Sequence, residues 1–421
     1  MDKGIRRRIG FVSTRLAGTD GVSLETRKWS DILTGLGYEC FYFAGESEWP
    51  KERSYVVPEA HFEHPEIKAL NAELFDDYVR SPETSQWVER FKGHLKVHVY
   101  SFVHTFDLEL LIVENALAIP MNIPLGLALT ELIAETNIPT IAHHHDFAWE
   151  RTRFKVTAAS DYQLGAFPPI LHSVRHVVIN SYAARQLALR TGATSRLVPN
   201  VMDFESPPPE PDAYATGLRS ALGIQSDEYL LLQPTRIVPR KRIEHAIELA
   251  RRLDMGCVLL ISHASGDEGS AYETYLHDYA NLMGVRVLFA SDVVNHERGQ
   301  TPDGRRVYSL ADVYLKADLV TYPSRVEGFG NAFLEAIYYR RPVVISTYEI
   351  FLIDIRPKGF KVIGFTDFLT EEAVGQARAV LRDSGLATEM AEHNYELGRR
   401  YYSYQTLEKR LVALMSECLG D

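Results

Sequence analysis

A chain of 421 residues, 46% apolar and 24% charged, is long enough for two hydrophobic cores and has the balance of a soluble globular protein. Its formal charge of −11, with neither half basic, argues against nucleic acid or an anionic membrane as the main partner, and leaves a local basic patch open. No apolar run approaches the roughly 18 residues that a bilayer-spanning helix needs, and the scattered Cys40, Cys257 and Cys418 form no disulfide framework and no metal spacing, so a reducing cytoplasm is expected.

Taken in chain order, short apolar runs alternate with helical spacing. Ile9-Gly10-Phe11-Val12 is too short for a signal peptide and reads as a first buried strand. Val22, Trp29, Ile32, Leu33 and Leu36 recur at helical period, Gly37 closes that helix, and Cys40-Phe41-Tyr42-Phe43 is the next strand. Apolar runs at 97–103, 110–113, 140–142 and 177–179 predict further strands of a buried parallel sheet. Ser206-Pro207-Pro208-Pro209-Glu210-Pro211 breaks the pattern as a linker. Beyond it, strands predicted at 229–232, 257–261, 285–289, 319–321 and 343–345 alternate with helices. Two βαβ series joined by a linker predict an α/β protein of two doubly wound domains facing across a cleft.

In such sheets ligands bind beyond the carboxyl ends of the strands, and several candidate segments fall there. Leu16 to Ser23, after the first strand, would bring Gly21 near a phosphate or an acceptor, although it lacks the G-x-G-x-x-G spacing. Glu114-Asn115 closes another strand. His143-His144-His145-Asp146 invites a zinc reading. Successive strand side chains point to opposite faces, however, and no cysteine or spaced histidine completes a site. No metal is therefore expected, and a single histidine should reach the cleft. TRIVPRKR (235–242) sets Arg236, Arg240, Lys241 and Arg242 after a strand end. That density suits a diphosphate, with a solvated basic helix start as the alternative. In PSRVEGFGNAFLEA (323–336), Gly328-Phe329-Gly330 separates Glu327 from Glu335. The glycines let the backbone approach a ligand at a helix start. Glu335, among apolar neighbours, needs partners for its oxygens, and the two hydroxyls of a ribose supply them. The alternative is a surface glutamate at an exposed helix position.

Together these residues resemble the retaining glycosyltransferases of family 4. Glu327-Gly328-Phe329-Gly330 followed by Leu334-Glu335-Ala336 has the order and spacing of that family's E-x7-E motif. Arg236 and Lys241 match its phosphate-binding pair, His145-Asp146 its strand-ending His-Asp, Val198-Pro199-Asn200 and Asp203 its approach to the linker, and Tyr402-Ser403-Tyr404 its closing segment. The resemblance implies the GT-B fold. Residues 1–205, with 400–421 crossing back, would form an acceptor domain, and 206–399 a nucleotide-sugar domain. It implies Arg236 and Lys241 on the diphosphate and Glu335 on the ribose. Glu327 would hold the donor-sugar hydroxyls, backbone at Gly328, Phe329 and Gly330 would line the donor, and His145 would stand near the reacting sugar.

Three segments depart from the family pattern. Asp20-Gly21-Val22 stands where paired glycines are common, Arg242 where a glycine usually follows the phosphate lysine, and Ser346-Thr347-Tyr348-Glu349-Ile350 where a glycine-rich segment is usual. These bear on substrate identity more than on reaction class. TDGVSLE combined with HHHDFAWE narrows the resemblance to mannosylglucosylglycerate-type synthases, which make compatible solutes. That implies GDP-mannose as donor and a glucosylglycerate-type acceptor. The chain contains no Asp-x-Asp, so no metal or other cofactor beyond the nucleotide-diphosphate-sugar donor is expected. The expected partners are therefore a small-molecule donor and acceptor, and a homo-oligomer is left open. Rival readings are a UDP-glucose-dependent transferase, an epimerase or disaccharide phosphorylase on a related scaffold, and a sugar-nucleotide-binding protein without turnover.

Overall fold

The structure, a computed structural model, describes residues 7–18, 20–265 and 270–420. Thr19 of the TDGVSLE segment lies outside the described residues. The chain divides into two compact units, one of residues 1–200 with 404–421 and one of 201–403.

The first unit is built on seven parallel strands: β1 (Arg8–Val12), β2 (Glu39–Ala44), β3 (Ser54–Val56), β4 (Leu110–Glu114), β5 (Thr140–His144), β6 (Val174–Val178) and β7 (Ser195–Leu197). Their order is β3-β2-β1-β4-β5-β6-β7. Every residue of β4 and β5 is buried, as helices on both faces of a parallel sheet require.

The expected strand at 97–103 is instead part of the helix Pro82–Phe106. Its buried residues, Val88, Phe91, Leu95, Val99 and Phe102, fall three or four apart, which is one helical face, while Val97 stands 64% exposed. Ser81 caps its start by accepting from Thr84 N at 3.0 Å, and Asp107 ends it in the left-handed conformation. The helix packs on Ile123–Thr136 and beneath the sheet, where Val12, Phe43, Leu111, Val113, Leu125 and Leu129 complete the core. Each such side chain taken out of water contributes about 1.5–3 kcal/mol.

The second unit repeats the pattern with β8 (Tyr229–Gln233), β9 (Cys257–Ile261), β10 (Arg286–Phe289), β14 (Leu319–Tyr322), β15 (Val343–Ser346) and β16 (Ile363–Phe365), all parallel, in the order β10-β9-β8-β14-β15-β16. A small sheet that the sequence reading missed joins β11 (Val294–Asn295), β12 (Gly299–Gln300) and β13 (Arg306–Ser309). Its strands are too short to show a period. Arg298, just before β12, pairs with Asp212 at 2.7 Å and with buried Asp312 at 2.5 Å, and so ties down the chain after the proline run.

The division falls at 200/201 and 403/404, whereas the sequence reading drew it at 205/206 and 399/400. Met202 N donates to Tyr402 O at 2.9 Å. Phe204 packs on Tyr338 and Tyr395 and fills the space over Gly398, where a Cβ would lie 2.5 Å from its ring. Residues 201–205 therefore belong to the second core, and the prolines that follow lie within that unit.

His144 on β5 and His176 on β6 illustrate what burial does to a titratable pair. Their facing nitrogens are 2.9 Å apart and both residues are nearly inaccessible. Burial, and then the neighbouring His176, holds His144 well below the ordinary histidine range, and burial pushes His176 down to about 4. Above pH about 6.5 neither the folded nor the unfolded chain protonates these rings and they leave stability unchanged. As pH falls below that, the unfolded chain binds protons that the folded one refuses. His176 alone should then remove about 1.4 kcal/mol per pH unit down to about pH 4. Denaturant unfolding at pH 7.5, 6 and 5 should show this acid slope, and His176→Phe should make it shallower.

Candidate active site

Both large sheets reverse strand order at their centre, between β1 and β4 in one and between β8 and β14 in the other. Chains leaving such neighbours turn to opposite faces and open a crevice at the carboxyl ends. The candidate residues cluster at these two points.

In the second unit, β8 and β14 are locked at their ends by a buried network. Thr321 Oγ1 donates to Gln233 Oε1 at 2.8 Å, and Gln233 Nε2 donates to Thr235 Oγ1 at 2.8 Å. The loop after β8 carries the basic run and the loop after β14 carries Glu327. Arg325 N donates to Arg240 O at 2.9 Å and Arg240 reaches back to Val326 O at 3.3 Å, clamping the two loops together. Lys241 pairs directly with Glu327, and Arg240 lies 3.5 Å from its other oxygen. Burial alone would raise the Glu327 carboxyl. The adjacent charges of Lys241 and Arg240 outweigh it and keep the group ionised. Burial pulls the Lys241 ammonium down, opposed by Glu327. Arg236 is exposed, and its charge bears on Lys241 and on His263, an imidazole that burial holds below its usual range. His263, just past β9, was not singled out from the sequence.

Arg242 explains one departure. Its φ is 49°, the left-handed conformation for which a glycine is suited. For a side-chain-bearing residue this costs about 1–2 kcal/mol. The guanidinium is held by Asp367 O and stands 2.6 Å from His245 Nε2, contacts that a glycine could not make.

Gly330 starts the helix Asn331–Tyr338 at φ 115°, and no side chain caps that helix. Tyr348 OH donates to Phe329 O at 2.7 Å and lies 2.4 Å from where a Gly330 Cβ would be. Tyr322 lies under the same turn, edge-on to Tyr348 and 5.6 Å from Lys241 Nζ. Tyr348 belongs to the departing segment, where nothing in the sequence marks it as a support for the turn. Phe329 itself is buried against Tyr402, so only its main chain is available to a ligand. Gly328 lies between the Glu327 carboxylate and that anchored ring. Glu335 is half-buried in the helix and takes a hydrogen bond of 2.9 Å from Tyr314 OH. Tyr314 is fully buried and stacks on Tyr339, and the sequence reading missed it.

In the first unit, the pleat separates the three histidines. His143 and His145 turn to the side of Glu114, and His144 turns away to His176. One Glu114 oxygen accepts from His143 Nδ1 at 2.9 Å and from His145 Nε2 at 3.0 Å. Glu114 and His143 are inaccessible, and His143 stacks on Trp29 at 4.2 Å. Burial alone would raise Glu114, but both imidazoles overcome it and hold the carboxyl at about 2. Asn115, at φ 59°, accepts from His145 N at 3.1 Å and donates to Asp146 Oδ1 at 2.8 Å. Glu114, His143 and His145 are close enough to surround a cation. A histidine on a metal ordinarily has its second nitrogen held, yet His143 Nε2 is buried without a partner, so the arrangement fits hydrogen bonding. Gly21 opens the helix Gly21–Gly35, whose N-terminus already has an internal anion. Asp20 Oδ1 accepts from Val22 N and Ser23 N, and its other oxygen pairs with Arg15 at 3.0 Å. That carboxylate occupies the place a phosphate would take.

Residues 295–362 match the family described as Glycosyl transferases group 1. The mannosylglucosylglycerate synthase of Thermotoga maritima is 34% identical over 95% of this chain and 98% of its own length. The chain belongs to glycosyltransferase family 4. This glycosyltransferase is 31% identical to the mannosylglucosylglycerate synthase of Petrotoga mobilis, over 84% of the chain and 86% of the relative. It has the GT-B fold: a glycosyltransferase structure from Rickettsia africae superposes with a TM-score of 0.70 at 11% identity, covering 99% of each chain. It is a retaining hexosyltransferase. No helix of the described residues is long and apolar enough to cross a membrane.

Gly330→Ala should drive a Cβ into Tyr348 and force an unfavourable φ, lowering stability by about 1–3 kcal/mol. Thermal unfolding measures this. Gly35→Ala, a helical position where a Cβ meets open space, is the control and should leave the transition where it is or raise it slightly.

Proposed function

We propose that the enzyme transfers a mannosyl group from GDP-mannose to a glucosylglycerate-type compatible solute, with retention at the anomeric carbon. The observation that carries this reading is the end-to-end similarity to a mannosylglucosylglycerate synthase, which extends over both units. UDP-glucose is the rival donor.

In this reading Arg236 and Lys241 bind the diphosphate and oppose the charge that builds as the sugar–phosphate bond breaks. The uncapped start of Asn331–Tyr338, with backbone at Gly328 and Gly330, adds amide dipoles of the same sense. Glu335, steadied by Tyr314, accepts from the ribose hydroxyls, and Glu327, held ionised by Lys241, accepts from the donor sugar. The acceptor hydroxyl attacks on the face that the phosphate leaves, and a phosphate oxygen takes its proton. His145 stands by the reacting sugar. Gly21 contributes backbone to the acceptor side. No metal or further cofactor is required.

Purified enzyme should be given GDP-mannose or UDP-glucose with glucosylglycerate, glucosyl-3-phosphoglycerate or inositol phosphate, and the product configuration read by NMR. A retained mannosyl linkage to glucosylglycerate is expected. Transfer from UDP-glucose with none from GDP-mannose overturns the donor assignment. Glu335→Gln should weaken GDP binding by about 1.5–3 kcal/mol, because it replaces a charged acceptor by a neutral one of the same shape. Calorimetry checks this, and unchanged affinity removes Glu335 from the nucleotide site. Lys241→Ala should lower kcat at saturating donor more than it raises KM. Activity should survive chelation, and its loss with recovery on added magnesium or manganese would contradict the metal-free reading.

A further inference from the structure

Glu114 has no place in the reaction as described, yet it is the most enclosed carboxylate in the first unit's crevice. It ends β4, beside the point where strand order reverses, and is fully buried. An isolated carboxylate there would be strongly disfavoured, so its partners define its role. Backbone register sets Glu114 opposite His143 on β5, and the pleat brings His145 to the same side two residues on. Both rings end within 3.0 Å of one oxygen, Oε2, while Oε1 is buried without a hydrogen bond. Two donors on one oxygen fix the carboxylate's rotation, and the second donor, His143, is itself clamped by Trp29.

We propose that Glu114 is a positioning residue that orients His145 and sets its charge for transfer. The proposal rests on the reading in which His145 acts beside the reacting sugar. The hydrogen bond commits Nε2–H of His145 to Glu114, so Nδ1 is the nitrogen left to face a substrate. The loop holds the ring from behind as well, through His145 N on Asn115 Oδ1. The charged groups around His145 are largely acidic. Besides Glu114 they are Glu25 on the helix Gly21–Gly35, paired with Lys28 at 2.5 Å, and Asp146, paired with Arg151. His143 opposes them, and burial holds it below the usual imidazole range. Burial works against charge on His145 too, but Glu114 outweighs it and the ring stays protonated to higher pH than an ordinary histidine. In that charged form Nδ1 donates a hydrogen bond to a sugar or phosphate oxygen.

The experiment follows the ring proton of His145 by NMR, assigned by its loss in His145→Ala, alongside kcat from pH 5 to 9 with saturating substrates. In the wild type, His145 should titrate above about 6.5, and kcat should fall on the alkaline side with the same midpoint. Glu114→Gln should move both midpoints down together while GDP affinity is unchanged. Glu114→Asp keeps the charge and should retain most of the wild-type midpoint at a reduced rate. A wild-type His145 titrating at or below the ordinary value overturns the proposal without recourse to any variant. So does a rate in Glu114→Gln reduced equally at every pH with the titration unmoved. One equivalent of zinc in the purified protein, lost in Glu114→Gln, also overturns it, because the nitrogens would then be metal ligands. Full turnover in His145→Ala is a different failure: it removes His145 from the reaction and with it the reading on which the proposal stands.

Discussion

The constraint on which the rest depends is the reversal of strand order at the middle of each sheet. A parallel strand must be followed by a crossover, and crossovers of one hand place their helices on one face when the chain moves left and on the other when it moves right. Where the direction changes, two neighbouring strands send their following loops apart, and no helix closes the gap between them. In the unit of residues 201–403, the Gln233–Thr321 hydrogen bond fixes the two strands at that gap, and the loops they release carry opposite charges that meet as Lys241 and Glu327. In the other unit the same position holds Glu114 with His143 and His145. Charge is concentrated at these points because partly enclosed groups can be paired there without filling the core.

The strands that line each gap were legible because they are short apolar runs followed by residues of special chemistry. The residues 97–103 misled because they form a short run rich in valine and aromatic residues, and only the longer series from Val88 to Phe102 reveals the helical period. The proline run was read as the boundary because composition changes there. The true boundary is set by Phe204 packing into a pocket made by residues nearly two hundred positions later, which no local pattern reports.

The site shows the same divide. Glu327, Glu335, Arg236, Lys241 and His145 carry chemistry in their own spacing. Their supports do not: Tyr314, Tyr322 and Tyr348 look like ordinary core aromatics until the fold aims a hydroxyl at a carboxylate or a carbonyl. The histidine triplet was half legible. Alternation separates His144 from its two neighbours, and the same alternation places the first and third histidines on one carboxylate, a step that needs the register of β4 against β5.

The crossings at 200/201 and 403/404 make one unit an insertion within the other. Met202 and Ser403 are bridged side by side, so the inserted stretch begins and ends at one place. The seven strands of the outer unit are complete at Leu197, but its last helix, Tyr404–Leu419, comes only after the whole inserted unit. That helix packs on Gly21–Gly35 and buries Leu407, Leu411, Leu414 and Met415, and Glu417 reaches Arg196 of β7 at 2.6 Å. During synthesis the outer sheet therefore emerges first and waits, with an apolar flank uncovered, while about two hundred further residues are made at roughly 5–20 per second. For that interval, tens of seconds at the slower of those rates, the nascent chain has a finished inner unit and an unfinished outer one. The exposed flank is where a holding chaperone would find its substrate.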